Sequence, residues 1–434
     1  MFAKKTIFPK DATDKTVLVR TDFNVPVNDL GIITDDYRIR KALPTIEHLR
    51  GIGAKVIIIS HLGRPSDKDD RSCSLAPVAN KLSDLLHTNV QFVDDCIGAP
   101  AKKAIKAMLP GDVVLLENLR FYPEEESNDT KFAKKLADGC DIFVQDGFGV
   151  VHRAHASTEA ITHYLPSVAG LLLANEVTTL TSATLQPDRP LALIIGGAKI
   201  SDKIDLLRVF IEKADYVAVI GAMANTFLLA KGISIGNSLA EKDAVPLAKE
   251  LLQLAHSKTQ TSRFTFYLPE DVVVASGKDN TLPTRVVDIT HHTWADIAAY
   301  PKKPSQASYT VSDDELILDI GPMSASTIKG ALGQAHTVIW NGTAGVTEMT
   351  GLHGAAGPFS HGTRIITEAL VGEHAGDKNV PFTIVGGGDT VGYVESISGL
   401  RELLGHVSTG GGASLELLSG QTLPGVESLQ DSEQ

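Results

Sequence analysis

Four arginines and a histidine stand in short motifs that each border an apolar, β-branched run. His61 and Arg64 occur in His61-Leu62-Gly63-Arg64-Pro65, Arg120 in Glu117-Asn118-Leu119-Arg120-Phe121, and Arg153 near the end of Asp146–His155, DGFGVVHRAH. Arg38 lies in Asp35-Asp36-Tyr37-Arg38, and Asp22-Phe23-Asn24 follows the first apolar run. One surface arginine is usually an ion pair of little consequence. Several gathered on one rim repel each other unless an anion joins them, and the planar guanidinium suits carboxylate and phosphate oxygens. These residues therefore point to a small polyanion, with Asp22 and Asn24 able to accept from and donate to a hydroxyl.

The second half carries a different chemistry. Gly196-Gly197-Ala198-Lys199-Ile200-Ser201-Asp202-Lys203 follows one apolar run and Gly386-Gly387-Gly388-Asp389-Thr390 another. If a helix opens at the first motif, Lys199 and Lys203 share a face of its first turns. Cations there oppose the helix dipole and need a reason, which phosphate supplies. Glycines admit phosphate oxygens close to backbone N–H groups. Each glycine run alone reads equally as a tight turn; together they point to a nucleotide. Asp389, an acid among anion-binding groups, is the expected Mg²⁺ ligand. A third run, Ser408–Ser414 (STGGGAS), precedes a helical pattern, and Asn341–Glu348 (NGTAGVTE) offers Glu348 to a ribose hydroxyl.

These motifs need a scaffold that brings strand ends together. Apolar runs at Val17–Thr21, Lys55–Ser60, Asp112–Glu117, Asp141–Gln145, Leu191–Ile195, Tyr216–Ile220, Asp271–Ala275, Thr337–Trp340 and Phe382–Val385 alternate with amphipathic stretches. Such alternation predicts parallel sheets covered on both faces, hence two doubly wound α/β domains of Rossmann-like kind. Ligands of open parallel sheets bind beyond the carboxyl ends of the strands, where the motifs lie. Ser167–Gln186 reads as one helix joining the halves. We expect domains at 1–170 and 189–405, a linking helix at 171–188 and a final segment at 406–434. The stretch Asp288–Ser312 reads as an inserted loop, and its His291-His292 pair as surface residues rather than a metal site.

Composition narrows the partners. The 434 residues carry a formal net charge of −12, unlike a general nucleic-acid binder or an anionic-membrane binder. Residues 1–174 hold 22 Lys and Arg against 23 Asp and Glu, so most of the negative charge lies in the second half. No apolar run reaches membrane-spanning length and no signal-peptide pattern opens the chain. Cys73, Cys96 and Cys140 include no Cys-x-x-Cys pair, which fits a reducing cytoplasm. The chain lacks Gly-x-x-x-x-Gly-Lys-[Ser/Thr], and Gly51-Ile52-Gly53 precedes a strand rather than following one. Neither a P-loop protein nor a nicotinamide dehydrogenase is favoured.

Taken in order, RTDFNVP, DDYRIRKALPTI, SHLGRP, ENLRFYPEEE, DGFGVVHRAHAS, GGAKISDKI, GAMANTFL, LDIGP, WNG, FSHGT, GGGDT and HVSTGGGASLELLSG resemble the phosphoglycerate kinase family from Arg20 to Gly420. The resemblance implies two α/β domains joined by a helix, a C-terminal segment returning to the first domain, and hinge closure. It implies phosphoryl transfer between 1,3-bisphosphoglycerate and ADP, giving 3-phosphoglycerate and Mg-ATP, by a cytoplasmic monomer without nucleic-acid or membrane partners. It assigns Asp22, Phe23, Asn24, Arg38, His61, Leu62, Gly63, Arg64, Arg120 and Arg153 to the glycerate. Gly197, Lys203, Asn341, Glu348, Gly387, Gly388, Asp389 and Thr390 go to the nucleotide, with Asp389 on the metal. Arg38, Lys199, Gly388 and Gly411 become the catalytic groups, with Lys199 following the migrating phosphoryl group. Departures are Thr343 where the family has Pro, Thr347 where it has Phe, Ala222 for Gly, and Gly147, Val150 and Val151 before His152-Arg153. A non-catalytic relative retained for binding is the competing expectation; the intact Arg38, Lys199, Lys203 and Asp389 favour an enzyme.

Overall fold

The structure, a computed structural model, describes residues 2–28, 30–290, 309–349, 357–372 and 380–432. It forms two compact units, Met1–Thr181 with Thr409–Gln434, and Ser182–Ser408. The last segment of the chain thus belongs with its first half.

In the first unit the strands are β1 (Thr16–Arg20), β2 (Lys55–Ile59), β3 (Val90–Val93), β4 (Val113–Leu116), β5 (Ile142–Gln145) and β6 (Ser167–Ala169). They form one sheet in the order β3-β4-β2-β1-β5-β6, with every pair parallel. The chain winds outward from β1 in both directions, so β1 is the switch point beside which a ligand crevice opens. The β1–β2 register runs from Thr16↔Lys55 to Arg20↔Ile59, which brings the segments that follow, Asp22 and His61, level with one another. Val17 and Val19 face a core with Ile39, Ile46 and Leu82, while Leu18 faces another with Phe132, Leu136 and Phe143. Because both faces are covered, the strands need continuous apolar sequence, and each such side chain stabilises by roughly 1.5–3 kcal/mol.

The second unit contains β7 (Leu191–Ile195), β8 (Tyr216–Val219), β9 (Thr265–Tyr267), β10 (Asp271–Ala275), β11 (Arg285–Asp288), β12 (Leu316–Ile320), β13 (Thr337–Asn341), β14 (Phe382–Gly386) and β15 (His406–Val407). Six make a parallel sheet ordered β15-β14-β13-β7-β8-β9, wound both ways from β7. The motifs after β7, β13 and β14 consequently share one sheet end.

Two expectations need correction. Asp271–Ala275 does not join the parallel sheet: β10 pairs antiparallel with β11 and β12 in a separate three-stranded sheet. Val272 and Val274 are buried in one cluster and Val273 packs on another, so its apolar run reports burial on two faces, not strand direction. Ser167–Gln186 is not one helix either. Ser167–Ala169 is β6, and the helix is Leu171–Leu185. The break falls at Gly170, where a Cβ would lie 2.1 Å from Asp146 Oδ1. That oxygen caps the helix, accepting from the N–H groups of Leu172 at 3.0 Å and Leu173 at 3.2 Å. His291 and His292 lie outside the described residues.

Candidate active site

The first unit gathers its cations around the end of β1. Asp22 Oδ2 accepts from Arg38 Nη1 at 3.0 Å, and the Asn24 carbonyl accepts from the same nitrogen at 3.2 Å. Arg38 is in the first turn of the helix Tyr37–Gly51, so a short chain segment sets it opposite Asp22. Asn24 Oδ1 accepts from Gly63 N at 2.9 Å, and Arg120 Nη1 donates to Gly63 O at 2.7 Å. The His61–Arg64 turn is thereby held at both the N–H and the C=O of Gly63, which has φ +62° as the turn requires. Arg120 also pairs with Glu126 at 3.1 Å. The side chains of Phe23 and Leu62 belong to the core, so at these two positions the backbone is what faces the rim. Arg64 is exposed and Arg153 half-buried.

The field of these groups is visible in their acidities. His61 is pushed well below the ordinary histidine value, first by burial and then by Arg20, Arg120, Arg38 and His155. Burial also lowers Arg120, with Arg153 and Arg64 adding to the effect against Glu126. His155 falls to about 4 through burial and the charges of Arg20, Arg120 and Arg153. The rim is a preformed positive surface whose histidine is neutral. The C-terminal segment borders it. Thr409 N and Oγ1 each donate to Glu176 Oε1 at 2.7 Å, fixing the turn that opens the helix Gly411–Leu418. Burial raises Glu416 on that helix while Arg153 lowers it.

In the second unit, a helix does not open at Lys199 as the spacing had suggested. Gly196–Ile200 is a loop, a 3-10 turn covers Ser201–Lys203, and the α-helix begins at Ile204. Lys199 is exposed on the loop. Lys203 instead turns back, and its Nζ donates to Gly196 O and Asn341 Oδ1, both at 2.5 Å. Burial lowers Lys203 to about 8, against the opposing pull of Asp389 and Asp202. The loops meet closely: a Cβ on Gly342, at φ +115°, would lie 2.5 Å from Gly196 Cα. Thr390 is fully buried and its hydroxyl accepts from Gly342 N at 2.6 Å, so its side chain braces the loop after β13. Gly388 opens the helix Gly388–Glu395, and a Cβ on Gly388 or on Gly411 would meet nothing within 4 Å. Both helix starts are open to a ligand. The second unit also holds a cavity of about 340 Å³ lined by Gly197, Ala222, Leu316, Val346, Glu348 and Asp389 among others. Thr343, one of the departures, also lines it and donates to Gly345 O at 3.0 Å.

Among the described residues no three His, Cys, Asp or Glu gather to hold a metal ion by themselves. The exposed Asp389, in the first turn of the helix that opens at Gly388, suits Mg²⁺, which takes one or two protein carboxylates and shares the rest of its shell with phosphates and water.

Comparison with known proteins matches residues 8–421 to the model of the phosphoglycerate kinase family. The chain belongs to the phosphoglycerate kinase family. The phosphoglycerate kinase of Moorella thermoacetica is 47% identical over 429 residues, covering 99% of this chain and 100% of that one. That of Chloroflexus aggregans is 45% identical over 432 residues, covering 99% and 100%. Among solved structures, phosphoglycerate kinase from Coxiella burnetii superposes with a TM-score of 0.79 at 36% identity over 98% of each chain. The Pyrococcus horikoshii enzyme gives 0.77 at 29% identity over 96% of each. This chain is therefore a phosphotransferase of the phosphoglycerate kinase type, a glycolytic kinase whose substrates are small molecules. Among the described residues no helix is long and apolar enough to cross a membrane.

Sequence reasoning missed several residues of the site. Arg20 was absorbed into the apolar strand β1, yet its guanidinium is fully buried beside His61. Glu125 and Ser157, its partners, sit in loops with no spacing signal. Asp319, raised to about 7 by burial, is the penultimate residue of β12, accepts from Gly362 N at 2.9 Å and lines the cavity of the second unit. An acid in the otherwise apolar LILDI was the one clue.

Proposed function

We propose that the first unit binds the glycerate and the second the nucleotide. The observation that carries the reading is the division of anion-receiving groups. Arg38, Arg120, Arg153 and neutral His61 surround the end of β1. Gly197, Glu348 and Asp389 line a cavity of about 340 Å³ in the second unit, and the half-buried Lys203 reaches back to the carbonyl of Gly196. Asp22 accepts from a glycerate hydroxyl and the amide of Asn24 donates to its oxygens, while Arg38, Arg64, Arg120 and Arg153 supply paired donors. On the nucleotide side Lys203 and the N–H groups at Gly388 receive phosphate oxygens, Glu348 accepts from ribose, and Asp389 holds Mg²⁺.

Phosphoryl transfer asks little covalent chemistry of a protein. It asks for in-line placement and stabilisation of charge on the equatorial oxygens. Arg38, Lys199 and the N–H groups that open the helices at Gly388 and Gly411 are suited to that work, and no general base is required because the carboxylate is itself the nucleophile. When bound, Mg²⁺ neutralises phosphate charge. With its substrates on separate units, transfer needs a hinge motion that unites them, which also excludes water. The chain acts in the cytoplasm as a monomer. A coupled assay of ATP-dependent phosphorylation of 3-phosphoglycerate, run with Arg38→Ala beside the parent, tests the reading. Turnover by the parent and its loss in the variant support it, and normal turnover in the variant refutes the assignment.

A further inference from the structure

Arg20 ends the central strand of the first unit with 1% of its surface exposed, so its charge needs complete internal pairing. Its Nε donates to Ser157 Oγ at 2.7 Å, Nη1 donates to Thr21 O, and Nη2 stands 3.8 Å from Glu125 Oε1. Nη2 also lies 3.4 Å from His61 Nδ1. A guanidinium can only donate, so Nδ1 must accept, and the imidazole proton is left on Nε2. Ser157 has one hydroxyl proton, and Glu125 Oε1 takes it at 2.5 Å. The serine oxygen is thereby turned to accept from Arg20. Glu125 Oε2 accepts from Ser157 N at 3.0 Å and its carbonyl from Ala156 N at 2.9 Å, which fixes the segment behind Arg153.

We propose that Glu125 and Ser157 are positioning residues: they clamp Arg20 so that its guanidinium holds His61 neutral, with its proton on Nε2. The groups facing His61 are consistent with this. Arg20 and Asp22 approach from the end of β1, Arg38 from the helix Tyr37–Gly51, Arg120 from the turn after β4 and His155 from the segment after β5. Four of these five disfavour a second proton on the ring, and Asp22 Oδ1 is 4.0 Å from Nδ1. The arrangement gives the glycerate an N–H donor of fixed direction without adding another positive charge. It rests on the reading that this rim receives the glycerate.

The test is long-range proton–nitrogen NMR on the full chain with nitrogen-15 histidine, without ligand, in the parent, Glu125→Gln and Ser157→Ala. In the parent, His61 is expected as a single neutral tautomer with Nδ1 unprotonated from about pH 8 to about pH 6. Each variant is expected to give a mixture of tautomers and to raise KM for 3-phosphoglycerate about fivefold with kcat within about twofold. A parent His61 protonated on Nδ1, or on both nitrogens, overturns the proposal. An unchanged tautomer in both variants overturns it too. Should Glu125→Gln not fold, the parent spectrum and Ser157→Ala still decide. Failure of 3-phosphoglycerate to shift the His61 signals tells instead against the glycerate rim and leaves the tautomer result standing.

Discussion

Raising the pH should weaken ADP binding through one lysine. Lys203 is a half-buried cation of the second unit, and burial brings it down to about 8 although Gly196 O and Asn341 Oδ1 both accept from it. If the ammonium form receives the phosphates, the competent fraction is about one half at pH 8 and about one tenth at pH 9. The dissociation constant for ADP should then rise roughly fivefold between about pH 8 and pH 9, or about 1 kcal/mol. The nucleotide is not the source of this slope, since a terminal phosphate completes its ionisation near pH 6 or so. Isothermal titration of the full chain with ADP at about pH 7, 8 and 9 measures the effect, with Lys203→Arg as the control. The arginine keeps its charge, so its affinity should be lower but nearly independent of pH. An affinity for the parent that is constant within about twofold across the range, or the same slope in both proteins, refutes the reasoning. Stability should move the other way. The unfolded lysine, near 10.5, binds a proton that the folded one has released between about pH 8 and 10.5. The folded state therefore gains up to roughly 3 kcal/mol as pH rises through that window.

Arg38→Ala and Lys199→Ala should each lower kcat by about 100-fold or more, as loss of preorganised charge does elsewhere; steady-state rates of the purified variants check this. Arg64→Ala should mainly raise KM for 3-phosphoglycerate, and an unchanged KM removes it from the binding set. Gly342→Ala places a Cβ 2.4 Å from Gly196 C at φ +115°. Overpacking plus backbone strain should cost about 3 kcal/mol or more and lower the melting midpoint by roughly 6 °C or more in calorimetry. Asp146, raised to about 7 by burial, stabilises the fold most below its unfolded value near 4, and that contribution is lost as pH rises to about 7. Asp146→Asn should flatten the denaturation free energy between about pH 4 and pH 7, and a slope equal to the parent's contradicts the cause assigned.

Much of this was legible because strand ends and ligand sites coincide in parallel sheets. Runs such as LALII and TVLVR had to be strands covered on both faces, and what followed them had to be the rim. Short elements escaped. Val90–Val93, Ser167–Ala169 and His406–Val407 are too brief to show a period of their own, and Ser167–Ala169 merged with the helical pattern after Gly170. Direction escaped as well, because VVVA in β10 is buried on two faces without being parallel. In the site, the exposed cations of the motifs were readable from type and place. Their buried supports were not: Arg20 is recognisable only once Ser157 and Glu125, more than a hundred residues away, are seen to pair with it. Lys203 had the right chemistry but the wrong geometry, since the spacing assumed a helix that starts only at Ile204.

The central claim is that glycerate and nucleotide are held by different units, and stepwise NMR titration of the isotope-labelled full chain tests it most directly. Adding 3-phosphoglycerate should first shift amides of Asp22–Asn24, His61–Arg64, Arg120 and Arg153; ADP with Mg²⁺ should then shift Gly197, Asn341–Glu348 and Gly387–Thr390. First-step shifts confined to the second unit, or both ligands acting on one set of amides, would contradict the account.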